Sequence, residues 1–538
     1  MIHRQRGDRN KGQSAGSMSV YSQSFHHDSK PWVLLTGATG LLGSAILHEL
    51  LVRRHRVLCV VRADTPSAAR RNLASALASW GTSAEAHLEC GQLAAIRGDI
   101  CRPQLGFSPA LTQCLCGMVG SVVHAAGSTA FSSKVDANLN RTNVEGTRNL
   151  FEFAAACQCI DWHLISSAYV CGKTDRATET FHQSPPVFRN EYEWTKWTAE
   201  LETHSLAAKC GASLTTCRPA VIVGHSETGY ISRFTGIHRV FRAVALLRRV
   251  AEQRDGVDRY NIPLRIPANE NARPNLMFVD DVAREFAELF ESPDARGAIF
   301  HLTHPDPPTN GEIQEALEQY YDISGGRFVG SQHPIRKSEQ SAFEVLFSDL
   351  VLDTEPYILE SPLFERTQTN RFVTRRPAPW NGGRLRKQIH FAESANWRRK
   401  ATTGQEGDDA SDAYAAYFKQ FMPESHRRFR LSELSALNLI VRYVIGRSPG
   451  GDWSCYYQCG GLVDVGHPKG VAADVTYRIS PSAFWNIVGG KSSMEEYFLS
   501  GAVLIEGQME RALKFAAVLR EFVREFPYFR PGEIRVGN

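Results

Sequence analysis

The chain of 538 residues is long enough for about three domains at roughly 150 residues each, and 43% hydrophobic with 22% charged residues is ordinary for a folded globular protein. With 61 Lys and Arg against 57 Asp and Glu, the formal charge of +4 is too thinly spread to favour a nucleic-acid partner. No uninterrupted apolar run reaches the roughly 18 residues that span a bilayer; "LSALNLIVRYVIG" is short and broken by Arg442.

Residues 1–30 are polar, rich in Ser, Gln, His and Arg, and lack the apolar core of a secretory signal. They are expected to form a disordered tail, with Met18 a second candidate start. From residue 31, short β-rich runs alternate with amphipathic helical stretches. "PWVLLTG", "RVLCVVR", "LAAIRGDI", "MVGSVVHAAG", "DWHLISSAYV" and "SLTTCRPAVIVG" read as strands, with helices between them. The expectation is an α/β fold: a doubly wound parallel Rossmann sheet whose ligands bind beyond the carboxyl ends of its strands.

The first strand runs into "TGATGLLG", where Gly37, Gly40 and Gly43 precede an apolar helix. Glycines let the backbone approach a pyrophosphate, which then rests on the free N–H groups of the helix start. Gly37, Thr39, Gly40, Leu41, Leu42 and Gly43 are therefore expected to hold a dinucleotide. The second strand ends in "VVRA". An acid there would bind a ribose 2′-OH, whereas Arg62, helped by Arg70 or Arg71, suits a 2′-phosphate and favours NADP; Asp64 keeps NAD open. His124 and His163 fall inside strands and read as core histidines.

Further along, "NEYEWTKWTAE" sets Tyr192 and Lys196 on one helix face. Alone, the pair reads as an exposed helix with an amphipathic tyrosine and a snorkelling lysine. In "NLMFVDDVAREFAELF", Asp280 and Asp281 stand at a strand-to-helix junction and are expected to cap the helix. "IFHLTHPDPPTNGEIQEALEQYY" reads as a last strand, a Pro-rich turn and a capped helix.

Residues 335–413 are expected to form a substrate cap or a bridge to a further domain. Within them, "RRPAPWNGGRLRK" reads as a solvated basic linker; the sharper alternative is a docking surface for a CoA phosphate, an acidic acyl carrier protein or an anionic membrane. "ATTGQEGDDASDA", 401–413, reads as a flexible joint. Residues 414–538 return to globular composition: an apolar helix, "LSELSALNLIVRYVIG", then alternating strands and helices of a smaller α+β unit. The twelve cysteines are irregularly spaced without a C-x-x-C pair, which points to no metal site, free thiols and a reducing, cytoplasmic compartment. Cys455 and Cys459 read as buried thiols, with a disulfide as the alternative.

Several of these stretches carry a resemblance. "TGATGLLG", "GDI" (98–100), "HAAG" (124–127), "NVEGT" (143–147), "ISSAYVCG" (165–172), "YEWTK" (192–196) and "RPAVIVG" (218–224) occur in the order of the extended short-chain dehydrogenase/reductases. "LISSAYVCGK", "NEYEWTKWTAE" and "RPAVIVGHSETG" look most like the thioester-reductase and fatty acyl-CoA reductase branch. The resemblance covers residues 31–325 and implies an NAD(P)-binding domain over 31–334. It implies that Asp99 and Ile100 flank the adenine, and that Ala125, Ala126 and Gly127 line the phosphate and nicotinamide ribose. It makes Asn143 a structural asparagine, and it sets Pro219 and Val221 near the carboxamide. Ser167 matches the catalytic serine, with Ser166 as its neighbour. Ser167 would then donate to the substrate oxygen, Tyr192 would act as general acid or base, and Lys196 would hold the ribose and, with an oxidised nicotinamide, lower the phenol's pKa. A homodimer follows by the same analogy.

"ADVTYRISPSAFWNIVGGKSSMEEYFLSGAVLIEGQMERALKF" (473–515) looks like a sterol carrier protein type 2 fold, which implies a tunnel for fatty acyl or sterol ligands. Phe484, Trp485, Phe498, Met509 and Phe515 are candidate tunnel residues, although residues of these types more often simply fill a core. A lipid-binding module would raise the local concentration of an apolar substrate near the reductase. Together the resemblances imply NADP-dependent reduction of a long-chain acyl thioester to an aldehyde. The alternatives are a hydroxysteroid or lipid alcohol dehydrogenase, a nucleotide-sugar epimerase or dehydratase, and a non-catalytic, redox-sensing lipid carrier.

Overall fold

A computed structural model describes residues 31–529, apart from 134–135, 253–259, 331–334, 337–338, 352–356, 358–360, 396, 398–409, 430–437, 447–449, 469 and 500–501. The tail 1–30, with Met18, and residues 401–409 of the expected joint lie outside the described residues. The chain divides into two compact units: Met1–Ser232, Asn275–Pro307 and Pro362–Pro379 form the first, and Arg233–Pro274, Pro308–Ser361 and Trp380–Asn538 the second.

The first unit begins with β1 (Trp32–Thr36), α1 (Leu41–Val52), β2 (Val57–Val61), α2 (Pro66–Ala78), β3 (Leu93–Arg97) and β4 (Val119–His124). It continues with α3 (Gly146–Ala156), β5 (Asp161–Ile165), α4 (Glu191–Cys210), β6 (Ser213–Pro219) and the short β7 (Val221–Val223). The chain then starts the second unit with α5 (Ile237–Glu252) and β8 (Asn261–Ile266), and returns for β9 (Leu276–Phe278), α6 (Val279–Glu291) and β10 (Ile299–Leu302). Seven parallel strands lie in the order β10-β6-β5-β4-β1-β2-β3.

All five residues of β1 are buried, and they alternate between the two faces. Val33 and Leu35 join a core with Leu47, Leu50 and Phe286, while Trp32 and Leu34 join another with Leu150, Phe153 and Trp162. Burial on both faces is why these strands read as continuous apolar runs.

Three details differ from the expectations. The run 213–224 is two strands, because Pro219 has no N–H to continue the ladder. Ala220 donates to Leu302 O at 3.1 Å and Val221 to Asn275 O at 3.2 Å, so β7 pairs with β9. Asp280 and Asp281 sit in the first turn of α6, but neither caps it. Asp280 accepts from Ser226 N at 2.8 Å and Ser226 Oγ at 2.6 Å, and Asp281 accepts from Ala378 N at 2.7 Å: each fastens a loop to the helix start. Cys116 and Cys157 are joined as a disulfide where free thiols were expected; their separation of 41 residues gave no signal, and the fold brings two helix ends together.

The segment Pro362–Pro379 is held to the rest of the first unit by the Arg366–Glu285 pair at 2.8 Å, by the Ala378–Asp281 bond and by a further buried carboxylate. Glu179, 4% exposed, accepts from His301 N at 2.9 Å, Gln368 N at 2.5 Å and Thr369 N at 3.2 Å. Glu179→Ala leaves these donors without their acceptor and is expected to destabilise the fold by about 3 kcal/mol or more. Urea unfolding of the full chain measures this; a loss below about 1 kcal/mol would show that the segment is held by other contacts.

The second unit adds α7 (Asn310–Tyr321), entered through a Thr309/Glu312 capping box, then β11 (Ser324–Phe328), which runs parallel to β8. After α8 (Ala342–Val351), α9 (Gly382–Ser394) and α10 (Ala410–Ala415) comes a mixed sheet of β12 (Leu439–Ile445), β13 (Asp452–Gln458), β14 (Gly461–Gly466), β15 (Val475–Ile479) and β16 (Val503–Gly507). Its order is β14-β13-β12-β15-β16, covered by α11 (Pro481–Val488), α12 (Met494–Leu499) and α13 (Met509–Glu525). The stretch expected as an apolar helix supplies β12 instead. Leu439, Val441, Tyr443 and Ile445 are buried while the residues between them are not, a period of two carried by β-branched residues. Residues 431–437 of that stretch lie outside the described residues.

The last residues of the expected joint are helical, and Tyr414 is fully buried against Trp485 at 5.0 Å between ring centroids. Phe484, Trp485, Phe498 and Phe515 are buried and Met509 is half-buried. Cys455 is buried and Cys459 exposed, both as free thiols, so the expectation of two buried thiols fails at Cys459. The basic run is divided: Arg375 and Arg376 lie in the first unit, and Arg384, Arg386 and Lys387 in the second. Among the described residues no helix is long and apolar enough to cross a membrane, and no group of His, Cys, Asp and Glu could hold a metal ion.

Candidate active site

The parallel sheet aligns the ends of its central strands. Thr36 is level with His124, His124 with Leu164, and Ile165 with Cys217, so the loops after β1, β4, β5 and β6 emerge side by side. The loop after β1 turns at Gly37, whose φ of +77° lies in the left-handed region. A Cβ there would lie 2.5 Å from Ala126 N and 2.6 Å from Ala125 O; a Cβ on Gly43 would collide with the Gly37 carbonyl. The loop is thus pressed against Ala125 and Ala126 by absent side chains. Gly40 N donates to Gly37 O at 2.9 Å and Gly40 starts α1. Thr39 and Gly40 are exposed, while Leu41 and Leu42 pack on the sheet core.

Beneath this loop runs a buried chain of hydrogen bonds. Thr36 Oγ1 meets His124 Nδ1 at 2.7 Å, His124 Nε2 meets Thr147 Oγ1 at 2.9 Å, and Thr147 donates to Asn143 O at 2.6 Å. Burial, with the Lys196 charge nearby, pushes His124 down to about 3, so the ring is neutral and structural. Asn143 lies in a π-helical turn, Arg141–Glu145. Its Oδ1 accepts from Ser128 N at 2.7 Å, and its Nδ2 donates to Ser128 O at 3.0 Å and Thr195 Oγ1 at 3.1 Å. It therefore clamps the loop after β4 to α4.

Ser167 follows β5 in extended conformation and caps a short 3-10 turn, accepting from Tyr169 N at 3.3 Å. Ser166 turns back to the sheet through its N–H to Cys217 O at 2.8 Å. Helix α4 starts at Asn190, whose side chain accepts from Glu193 N at 3.1 Å, and carries Tyr192, Lys196 and Glu200 at i, i+4 and i+8. Lys196 Nζ donates to Ile165 O at 2.7 Å. A Cβ on Gly127 would lie 3.3 Å from Asn143 Oδ1 and 4.0 Å from Lys196 Nζ, so Gly127 leaves the approach to the ammonium open.

The Tyr192 phenol is pushed up to about 12, chiefly by burial, against a hydrogen bond with Ser167 that lowers it. Lys196 is pushed down to about 8 by burial, against the opposing pull of Glu200. In the chain without nucleotide, desolvation dominates and the phenol keeps its proton at neutral pH; the expected lowering belongs to the complex with an oxidised nicotinamide.

The remaining candidates stand around this group. Asp99 shapes a turn after β3, donating to Leu105 O at 3.0 Å and accepting from Cys101 N at 2.9 Å. Ile100 packs on Gly146, where a Cβ would lie 2.9 Å from its Cδ1. Arg62 follows β2, exposed like Asp64, Arg70 and Arg71; its charge helps two hydrogen bonds, from Ser128 and Asn138, hold Asp136 below the usual carboxylate range. Pro219 ends β6, buried, and Val221 opens β7, half-buried.

Sequence reasoning missed the support behind α4. Arg218, fully buried, donates to Glu200 Oε2 at 3.2 Å, again to Glu200 Oε1, and to Thr180 O at 3.0 Å. Burial pushes Glu200 up, and Arg218 more than reverses it. An arginine inside an apolar strand, "SLTTCRP", was the available signal, because such a charge is buried only with a partner.

A glycine loop at the head of a doubly wound parallel sheet puts the first unit in the class of dinucleotide-binding α/β domains. Comparison with known families is more specific. Residues 35–283 match the NAD-binding family described as male sterility protein, and residues 421–520 match the SCP-2 sterol transfer family. The chain carries an NAD(P)-binding reductase domain of the extended short-chain dehydrogenase/reductase type and a C-terminal SCP-2 sterol transfer domain.

The chain is 34% identical over 218 residues to the isonitrile lipopeptide synthase of Streptomyces coeruleorubidus, covering 39% of this chain and 14% of that protein. It is 27% identical over 313 residues to the L-2-aminoadipate reductase large subunit of Penicillium chrysogenum, covering 54% of this chain and 21% of that protein. It thus spans a minor part of the curated relatives it matches. Among solved structures, the terminal R domain of the myxalamid PKS-NRPS pathway gives a TM-score of 0.57 at 20% identity, over 72% of this chain and 99% of that one. A thiolation-reductase di-domain from an archaeal non-ribosomal peptide synthetase gives 0.53 at 18% identity, over 69% and 77%. At these identities the likeness is one of fold.

Proposed function

We propose that the chain reduces a long-chain acyl thioester to the aldehyde with NADPH, and that its SCP-2 domain carries the lipid. The observation that supports this most is the gathering of three groups at the carboxyl end of β5: Ser167 just after the strand, the Tyr192 phenol whose pKa it lowers, and Lys196, whose Nζ donates to Ile165 O at 2.7 Å. The close approach at Gly37 and Gly43 fits a pyrophosphate at the start of α1, and Gly127 leaves room at Lys196 for a ribose. Arg62, which directly follows β2 and is exposed, suits the 2′-phosphate of NADP. When bound, the nicotinamide supplies the hydride.

Ser167 donates a hydrogen bond to the thioester oxygen as negative charge develops on it. Tyr192 gives that oxygen its proton, which a phenol held at about 12 retains at neutral pH. Lys196, fixed by Ile165 O, keeps a positive charge one helical turn away. The carbon–sulfur bond of the resulting hemithioacetal then breaks, the carbonyl reforms, and the hydroxyl proton leaves with the thiol. The thiolation-reductase fold neighbour supports a thioester on a carrier; a CoA thioester is the free form of the same chemistry. The sterol transfer match favours a second reading, a lipid or steroid alcohol dehydrogenase using the same residues.

NADPH oxidation with a panel of acyl-CoAs, fatty aldehydes and ketosteroids separates these readings: thioesters alone support the first, ketosteroids alone the second. The pH profile adds a check. Lys196 is charged below about 8 and loses its charge above it, so kcat/KM is expected to fall as pH rises through about 8. A profile flat to pH 10, about two units beyond that value, would remove the Lys196 charge from the mechanism.

A further inference from the structure

The loop that leaves β4 carries a set of polar contacts that the proposed chemistry does not use, and Ser128 is at their centre. Its N–H donates to Asn143 Oδ1 at 2.7 Å and its carbonyl accepts from Asn143 Nδ2 at 3.0 Å. Its Oγ donates to Asp136 Oδ2 at 2.6 Å. Asp136 also accepts from Asn138 N through Oδ1 at 2.9 Å, and its own N–H donates to Ser132 O at 3.2 Å. The Ser128 and Asn138 hydrogen bonds, with the Arg62 charge nearby, hold this carboxylate below its usual range, so it is ionised at neutral pH. Both side chains are half-buried, and a hydrogen bond to an ionised acceptor is short and directional.

The other side of the same loop lies on the first turn of α4. Ser133 N donates to Glu191 Oε2 at 2.6 Å, and Phe131 meets the Tyr192 ring edge-on, with centroids 6.2 Å apart. Thr195, between Tyr192 and Lys196, accepts from Asn143 Nδ2 at 3.1 Å and donates through Oγ1 to Tyr192 O at 2.9 Å. Asn143 thus grips Ser128 with one side of its amide and the phenol-bearing turn with the other. Every one of these contacts on α4 falls on the turn that presents Tyr192. Proton transfer requires the phenol within hydrogen-bond reach of the substrate oxygen, and a displacement of about 1 Å costs up to about 10²-fold in rate.

We propose that Ser128 and Asp136 are positioning residues for the reduction: their hydrogen bond sets residues 128–133 against Tyr192 and so fixes where the phenol oxygen meets the substrate. This rests on the reading of Tyr192 as the proton donor; neither Ser128 nor Asp136 exchanges a proton with the substrate. Ser128→Ala removes the tie to Asp136 and keeps the backbone clamp to Asn143. Asp136→Asn keeps the side chain's shape and removes the charge that holds the tie.

The test is a double-mutant cycle in the full chain, read as single-turnover hydride transfer from NADPH. The acceptor is whichever acyl-CoA, fatty aldehyde or ketosteroid the wild-type chain reduces fastest. Ser128→Ala is expected to slow transfer about tenfold, and less than about twofold when Tyr192→Phe is already present. NADPH affinity is expected to change by less than about twofold, and Ser128→Thr to restore most of the rate. A role in stability alone would slow both backgrounds equally, so equal losses overturn the proposal, as does a folded Ser128→Ala chain with the wild-type rate. Should Ser128→Ala fail to fold, the same cycle with Asp136→Asn decides in the same terms. A Tyr192→Phe chain with the full rate would remove the reading of Tyr192 and this proposal together, whereas equal losses on top of an impaired Tyr192→Phe remove the proposal alone.

Discussion

Tyr192→Phe is expected to lower turnover by about 10²–10⁴-fold while nucleotide affinity changes by less than about twofold. The substitution removes one oxygen and little packing: the ring stays beside Phe131, with centroids 6.2 Å apart, and Lys196 keeps its bond to Ile165 O. What disappears is the proton that the buried phenol holds and its link to Ser167. Single-turnover hydride transfer, paired with a nucleotide titration, separates the two effects. Equal losses in both would make Tyr192 a structural residue; full turnover would remove it from the chemistry.

The largest expected loss of stability comes from Arg218→Ala. Its guanidinium and the Glu200 carboxylate are both buried, so removing one partner strands the other charge, at about 3–5 kcal/mol. The effect reaches the site because Glu200 opposes the burial of Lys196 from one helical turn away. Without a charged Glu200, the lysine's pKa moves further down and the alkaline limb of the rate shifts to lower pH. Combining Arg218→Met with Glu200→Gln is expected to return much of the stability but not the lysine's charge. Calorimetry of the single and double variants, with pH profiles, checks this; a double variant with wild-type rates would confine the pair to a structural role.

The parts of this protein legible in its sequence are those with a local physical cause. The glycine loop could be read because Gly37 must adopt a left-handed φ and Gly43 must lie against its carbonyl, and no other residue does both. The parallel strands were legible because burial on both faces demands unbroken apolar runs such as "VLLT". Tyr192 and Lys196 became readable once a glycine loop and a serine-bearing strand stood upstream.

What escaped depends on partners distant in sequence. The run 439–445 is as apolar as a helix, and only its pairing with β13 and β15 made it a strand. Arg218 looked like part of a motif, although its partner lies 18 residues away on a neighbouring helix. Glu179 holds a segment about 190 residues further along, and nothing near Glu179 in the sequence announces that role. The desolvation that raises the Tyr192 phenol in the chain alone was not legible, because burial depends on the fold and not on neighbours in sequence.

The most direct test of the account is product analysis after mixing the full chain with NADPH and hexadecanoyl-CoA. The account predicts hexadecanal and free CoA in equal amounts, matched to the NADPH consumed and absent in Tyr192→Phe. Intact hexadecanoyl-CoA alongside brisk reduction of a ketosteroid under the same conditions would contradict it.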